Sequence, residues 1–148
     1  MAVPIKRDSQ TFSGCFGCGT DNPVGLRLKF ERDGDSVVSR GMLAREYAGY
    51  EQFVHGGVVA TLLDEAMGWA LLHVAGRYGV TRSLRIDYRR PVAVERLIIV
   101  RASVVEVDVR TTTLASSVED ERGRVLAAAE GEWATVRKER ARGDSRND

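Results

Sequence analysis

An α+β fold, with one long helix wrapped by a curved antiparallel β-sheet, is the class this sequence predicts. The stretch FVHGGVVATLLDEAMGWALL, Phe53 to Leu72, is small or apolar at nearly every position, so it reads as a helix covered on most sides. From Val80 onward the pattern changes to period two and is rich in β-branched residues. Short turns join those later segments, which favours hairpins and an antiparallel sheet. One helix cannot cover both faces of such a sheet. A sheet curved around the helix satisfies the helix and leaves a far face and edges for a second subunit.

The elements follow in order. The first dozen residues read as a loose arm. Residues 14–25, GCFGCGTDNPVG, are rich in glycine and read as a loop. Leu26 to Phe30, LRLKF, alternates as a short strand does. Glu31 to Asp35 reads as a turn centred on Asp33-Gly34, with Ser36 to Leu43 as the partner strand. Ala44 to Val54 is irregular. The helix spans Gly56 to Val74 and ends near Gly76 and Gly79. Strands are expected over Val80–Tyr88, Leu97–Asp108, Thr111–Glu119 and Val125–Val136, with a turn at Asp120–Gly123. The order is β-β-α-β-β-β-β in a single domain, 1–137, of which 1–25 are the arm and the cysteine loop. The tail, 138–148, is charged and non-periodic and is expected to be disordered.

Bulk properties exclude several functions. The 148 residues suit one domain with a proper core, and a net charge of +1 gives no pull toward nucleic acid or an anionic membrane. Asp64, Glu65 and His73 interrupt the longest apolar run, so no membrane span is expected. MAVPIKRDSQ has no apolar signal-peptide core, and the expected location is the cytoplasm.

Two carboxylates inside an apolar helix need a reason. Helical spacing puts Asp64 on a face with Gly57, Ala60, Thr61, Gly68 and Leu71, which is small and open. Glu65 shares its face with Val58, Thr61, Leu62, Gly68, Trp69 and Leu72. An ordinary ion pair or solvent contact is the plain alternative for either acid. The helix opens on His55-Gly56-Gly57. Unpaired amides and the macrodipole favour negative charge there, and glycines let a ligand approach those amides, as in an oxyanion hole. A glycine-permitted turn with no ligand is the alternative.

Gly56 and Asp64 are eight residues apart, about 12 Å along the axis. One carbonyl has to lie about 3 Å from each group to use both. A single subunit does not easily manage that, whereas the amide of one helix facing the carboxylate of another does.

HGGVVATLLDEAMG resembles the signature of hotdog-fold thioesterases, specifically the phenylacetate-pathway (PaaI-like) acyl-CoA thioesterases. LRIDYRRPV resembles the strand after the helix in that family, and the similarity runs from Leu26 to Val136. The resemblance implies a hotdog fold and thioester hydrolysis. It implies that Asp64 is general base or nucleophile, that the Gly56 amide polarises the thioester carbonyl, that His55 shapes the site, and that Thr81 positions the water or the carboxylate. In related enzymes Asp64 and Thr81 face Gly56 and His55 of the partner subunit. The chain departs from the family pattern at Gly49, where several relatives carry an Asn.

Other residues complete the expected site. The Gly57 amide lies beside that of Gly56. Phe53 and Val54 precede the helix and line an acyl pocket, unless they are merely loop packing. Arg89 and Arg90 stand at a strand end where they meet coenzyme A phosphates, with solvated surface charge as the alternative. Arg82 and Arg85 suit cross-strand ion pairs. Cys15 and Cys18 form a lone C-x-x-C, and with only His55 and His73 elsewhere the usual four zinc ligands are not found. Structural packing, a metal shared between subunits and redox chemistry all stay open, and no metal or cofactor is expected. The function read from the sequence is an acyl-CoA thioesterase, as a homodimer or dimer of dimers with the site at the subunit interface. The rival readings are a non-catalytic acyl-CoA-binding module and a hotdog hydratase or dehydratase. The hydratase pattern of Asp followed five residues later by His is not met, because Trp69 stands there.

Overall fold

The computed structural model describes residues 1–5 and 12–137. The tail expected to be disordered, 138–148, lies outside the described residues, as do residues 6–11 of the arm. Strands β1 (Val3–Pro4), β2 (Glu31–Asp33) and β3 (Ser36–Gly41) come first, then β4 (Ala48–Tyr50) and β5 (Phe53–Val54). Helix α1 (Gly56–His73) follows, and then β6 (Tyr78–Tyr88), β7 (Ile98–Val107), β8 (Thr111–Asp120) and β9 (Val125–Val136). One sheet has the order β1-β2-β3-β7-β8-β9-β6, with every pairing antiparallel. Helix α1 lies across it and touches β3, β6, β7, β8 and β9. No helix is long and apolar enough to cross a membrane among the described residues.

Alternation sets the faces of the sheet. Ile98, Val100 and Ala102 of β7, and Leu114 and Val118 of β8, are buried at every second position. Opposite them Leu62, Leu63, Ala66, Met67 and Ala70 of α1 have no exposed surface. Two pairs of small and large residues bring helix and sheet together. A Cβ on Gly131 of β9 would lie 2.9 Å from the Met67 sulfur, and one on Gly68 would lie 3.1 Å from the Trp133 ring. Strand β6 ends the sheet, with no further strand beside it among the described residues. Its residues Val80 to Ser83 are exposed.

The chain departs from expectation near its start. Leu26 to Phe30 joins no ladder, because Arg27 takes a left-handed φ of 55°. The flanking amides, Leu26 and Leu28, instead donate to Phe16 and Gly17 carbonyls at 2.8 and 2.9 Å, so the alternation serves the cysteine loop. The strand forms at Glu31–Asp33, where a turn was expected, and the chain turns at Gly34-Asp35 with Gly34 at φ 58°. Val3–Pro4 adds an edge strand to the arm, and the segment read as irregular holds a 3-10 turn (Arg45–Tyr47) and the β4–β5 pair. The helix ends on His73, whose carbonyl accepts a hydrogen bond from the Arg32 guanidinium, a cation placed at the negative helix end. Arg82 pairs across the strands with Glu132 at 3.2 Å.

The packing has a measurable consequence. Leu62→Ala removes a fully buried side chain and should lower unfolding free energy by about 2–5 kcal/mol, read from urea midpoints at fixed protein concentration. Val109→Ala, at a turn residue 82% exposed, should change it by less than about 0.5 kcal/mol. Equal effects at the two positions would contradict this core.

Candidate active site

The β4–β5 pair delivers the chain to the helix start. Val54 donates to the Val92 carbonyl at 2.7 Å and His55 to the Tyr47 carbonyl at 2.9 Å. His55 is then the N-cap. Its Nδ1 accepts the Gly57 N–H at 2.9 Å, and its carbonyl accepts from Val58 and Val59. An Nδ1 that accepts carries no proton, so the neutral ring has its hydrogen on Nε2. The cap distinguishes the two glycines. The Gly57 amide is committed to His55, while the Gly56 amide donates to no described residue. Both positions are exposed.

A cavity of about 320 Å³ opens at this helix end and is lined by Phe53, Val54, Gly56, Tyr88, Arg89 and Arg90, among others. The acyl-pocket and arginine candidates therefore meet at the Gly56 end. Both arginine amides donate to the Leu126 carbonyl at 2.9 Å, which turns the end of β6 toward the helix start. Sequence reasoning missed Tyr88. Its hydroxyl donates to the Gly56 carbonyl at 2.8 Å and braces the glycine from the sheet side. The signal was an aromatic closing the strand LRIDY just before the arginines.

Two turns along the helix, Asp64 is half-buried. Thr81 of β6 donates its hydroxyl hydrogen to Asp64 Oδ1 at 2.6 Å. Among the described residues nothing donates to the other oxygen, Oδ2. Neither Asp64 nor Thr81 lines the Gly56 cavity. One chain thus holds a carboxylate–hydroxyl pair and an amide with its cavity at separate places on α1, about 12 Å apart along the axis. Larger cavities, about 570 Å³ along β6 and β9 and about 720 Å³ beside Arg122, include none of Gly56, Asp64 and Thr81, so size does not mark the chemistry. At Gly49, the expected departure from the family pattern, a Cβ would lie 2.9 Å from the His55 Cα. The path of this loop leaves no room there for a side chain.

Glu65, one residue on, points elsewhere. It accepts the Trp69 indole N–H at 3.2 Å and the Cys15 thiol at 3.5 Å. The Cys18 thiol lies beside the same carboxylate. Burial, then the Glu65 charge, and then Cys15 push its pKa far up. Trp69 stacks on Phe30 at 5.2 Å and on His73 at 5.1 Å, which places Trp69 and His73 in the core layer. The adjacent acids therefore have separate partners, Thr81 for Asp64 and the cysteine loop with Trp69 for Glu65.

The cap can be tested by itself. His55→Ala should destabilise the protein by about 0.5–2 kcal/mol, and His55→Asn, which caps equally well, should recover most of that. Thermal melts of the three proteins at one concentration check it. An alanine variant as stable as the parent would contradict the capping role.

The family model of the thioesterase superfamily matches residues 51–127, just over half of the chain. One thioesterase superfamily protein of known crystal structure superposes with a TM-score of 0.78 and 29% identity, over 82% of this chain and 60% of that one. This chain therefore spans only 60% of that relative's length. A mutant form of phenylacetic acid degradation protein PaaI from Thermus thermophilus gives a TM-score of 0.66 and 27% identity, over 74% of this chain and 93% of that one. A hypothetical thioesterase protein with coenzyme A, from Streptococcus pneumoniae, gives 0.70 and 20%, over 75% and 90%. That last likeness is one of fold. The match spans the helix and most of the antiparallel sheet, and the chain belongs to the hotdog-fold thioesterase superfamily.

Proposed function

We propose that this protein is an acyl-CoA thioesterase whose active site is completed by a second copy of the chain. The observation that carries the reading is the 2.6 Å hydrogen bond from Thr81 to Asp64. It anchors one carboxylate oxygen and leaves the other, on the small face of α1, to act on a substrate. The Gly56 amide supplies the complementary half. As one of the first N–H groups of an 18-residue helix, it stabilises negative charge developing on a carbonyl oxygen.

The chemistry follows from these two halves. The thioester carbonyl oxygen accepts from the Gly56 N–H, so the carbonyl carbon becomes electrophilic. Asp64 either takes a proton from water, which then attacks that carbon, or attacks it directly to give an anhydride that water opens. Thr81 holds the carboxylate through either course. The tetrahedral oxyanion collapses with loss of coenzyme A thiolate, a good leaving group that needs no strong general acid. Phe53 and Val54 offer apolar contact to the acyl chain, and Arg89 and Arg90 offer bidentate contacts to phosphates.

A second copy is needed because the two halves lie too far apart within one chain. Strand β6 carries Thr81 at an open edge of the sheet. Pairing two copies about a two-fold axis at that edge sets their helices antiparallel. The amide end of one helix then runs back toward the carboxylate of the other. A spectrophotometric thiol-release screen over short, medium, long and aromatic acyl-CoAs tests the activity. Binding of acyl-CoAs with no thiol release across the panel would instead identify a non-catalytic binding module.

Asp64→Asn should keep the fold and lower kcat about a thousandfold or more. Thr81→Val, nearly isosteric, should slow turnover about ten- to a hundredfold. Steady-state kinetics on the best acyl-CoA check both, and an unchanged rate for Thr81→Val would return Thr81 to ordinary strand packing.

Sharing of the site is tested by mixing two dead variants, Asp64→Asn and Gly56→Val. In a mixed dimer one site combines Asp64 of one chain with Gly56 of the other and is intact, while the second site carries both lesions. Random exchange makes half the dimers mixed, so about a quarter of parent activity should return. No recovery, with dimerisation of Gly56→Val verified by sedimentation, would show that each site belongs to one chain.

A further inference from the structure

We propose that Cys15, Cys18 and Glu65 form a zinc(II) site that clasps the N-terminal loop to helix α1, with a fourth position open to an adjoining cavity. The sequence shows only the C-x-x-C half of it. The third ligand comes from 50 residues away, on α1 next to Asp64 in sequence but turned to different partners. The Cys15 Sγ, the Cys18 Sγ and one Glu65 oxygen all lie within 4.8 Å of one another. Tetrahedral zinc, with Zn–S near 2.3 Å and Zn–O near 2.0 Å, sets sulfur and oxygen about 3.5 Å apart. The Cys15 Sγ to Glu65 Oε1 distance is 3.5 Å.

The surroundings hold these ligands in place. The Trp69 indole N–H fixes Glu65 Oε1 from outside the cluster, as second-layer donors do at metal sites. A Cβ on Gly17 would lie 2.5 Å from the Glu65 carboxyl carbon, so the loop backbone comes down directly onto that carboxylate. A Cβ on Gly19 would strike the Ser13 and Cys15 backbone at 2.3–2.5 Å, so glycine also permits the tight curl around the sulfurs. The curl is tied by the Gly19 N–H to the Cys15 carbonyl at 2.8 Å and by Asn22 Nδ2 to the Gly14 carbonyl at 3.2 Å.

Two thiolates and one carboxylate favour zinc over hard divalent ions such as magnesium and calcium, which avoid sulfur. Binding releases the Cys15 and Cys18 protons to solvent and sets one dication among three anionic ligands. A cavity of about 230 Å³, lined in part by Cys15, Cys18, Glu65, Gly68 and Trp133, adjoins the ligands. The fourth ligand is therefore water or a small anion rather than another side chain, the pattern of an open site.

The test uses the full chain, purified under reductant and stripped with a chelator. Zinc(II) alone is added, and stoichiometry is read by native mass spectrometry and affinity by a competing zinc dye. One zinc per chain is expected, with a rise in Tm. Cobalt(II) in its place should give the intense sulfur-to-metal absorption of thiolate ligation in the unmutated protein, which needs no variant to fold. Cys15→Ser and Cys18→Ser should each weaken zinc at least about a hundredfold, and Glu65→Gln at least about tenfold, while Asp64→Asn retains it. Far-UV circular dichroism of the metal-free variants verifies their fold. The proposal is overturned by absence of zinc binding, by cobalt without the thiolate band, by full affinity in a folded Glu65→Gln, or by a Cys15–Cys18 disulfide that persists under reductant.

Discussion

The rotation of α1 on its sheet is the constraint from which the rest follows. Neighbouring residues on a helix point about 100° apart, so the setting that buries Leu62, Leu63, Ala66 and Met67 sends Asp64 and Glu65 to different flanks. That setting is held by shape. Met67 sits where Gly131 has no side chain, and Trp133 sits over Gly68. A turn by one residue would press a carboxylate into the layer now filled by buried leucines, at a desolvation cost of several kcal/mol. The apolar packing therefore aims both acids, although neither belongs to it.

The helix entry shows a second division of labour. A helix start offers several unpaired amides, and a substrate oxygen needs a specific one. The ring of His55 takes the Gly57 amide, its carbonyl takes Val58 and Val59, and Tyr88 holds the Gly56 carbonyl from the far side. What remains is the Gly56 N–H, at a residue that lines a cavity. His55 thus occupies the neighbouring amides and fixes the backbone, which is how a cap residue would shape the proposed site. The close approach of Gly49 to the His55 backbone belongs to the same arrangement.

Much of this was legible in the sequence because it rests on local rules. Helical period, the HGG start and β-branched alternation are written in consecutive residues, so the helix bounds and the four long strands were read to within a few residues. The pairing of Thr81 with Asp64 came through the family resemblance, and periodicity alone does not reach it. The misreadings lie where a non-local contact overrides local pattern. LRLKF alternates like a strand, yet Arg27 turns left-handed and the flanking amides feed the cysteine loop. The turn expected at Glu31–Asp35 came out half strand because β3 and β1 both pair with β2. The role of Glu65 was illegible, since helical spacing names the residues beside it on α1 but nothing in the sequence says that Cys15 and Cys18 fold down onto it.

The two flanks of α1 differ in what finishes them. On the Glu65 side the chain supplies its own cover, because the loop of residues 12–28 packs over the acid and brings two sulfurs to it. On the Asp64 side the cover stops at Thr81, on the last strand of the sheet, where backbone donors and acceptors face outward. A long exposed edge strand next to a half-buried carboxylate is a surface that pairing with another edge would satisfy, and a two-fold pairing would bring a reversed helix with its own bare amide. The closed flank needs nothing from a neighbour and can hold the helix still. In the proposed enzyme the open flank is where carboxylate, amide and substrate meet, and a helix immobilised from behind presents Asp64 there in a fixed orientation.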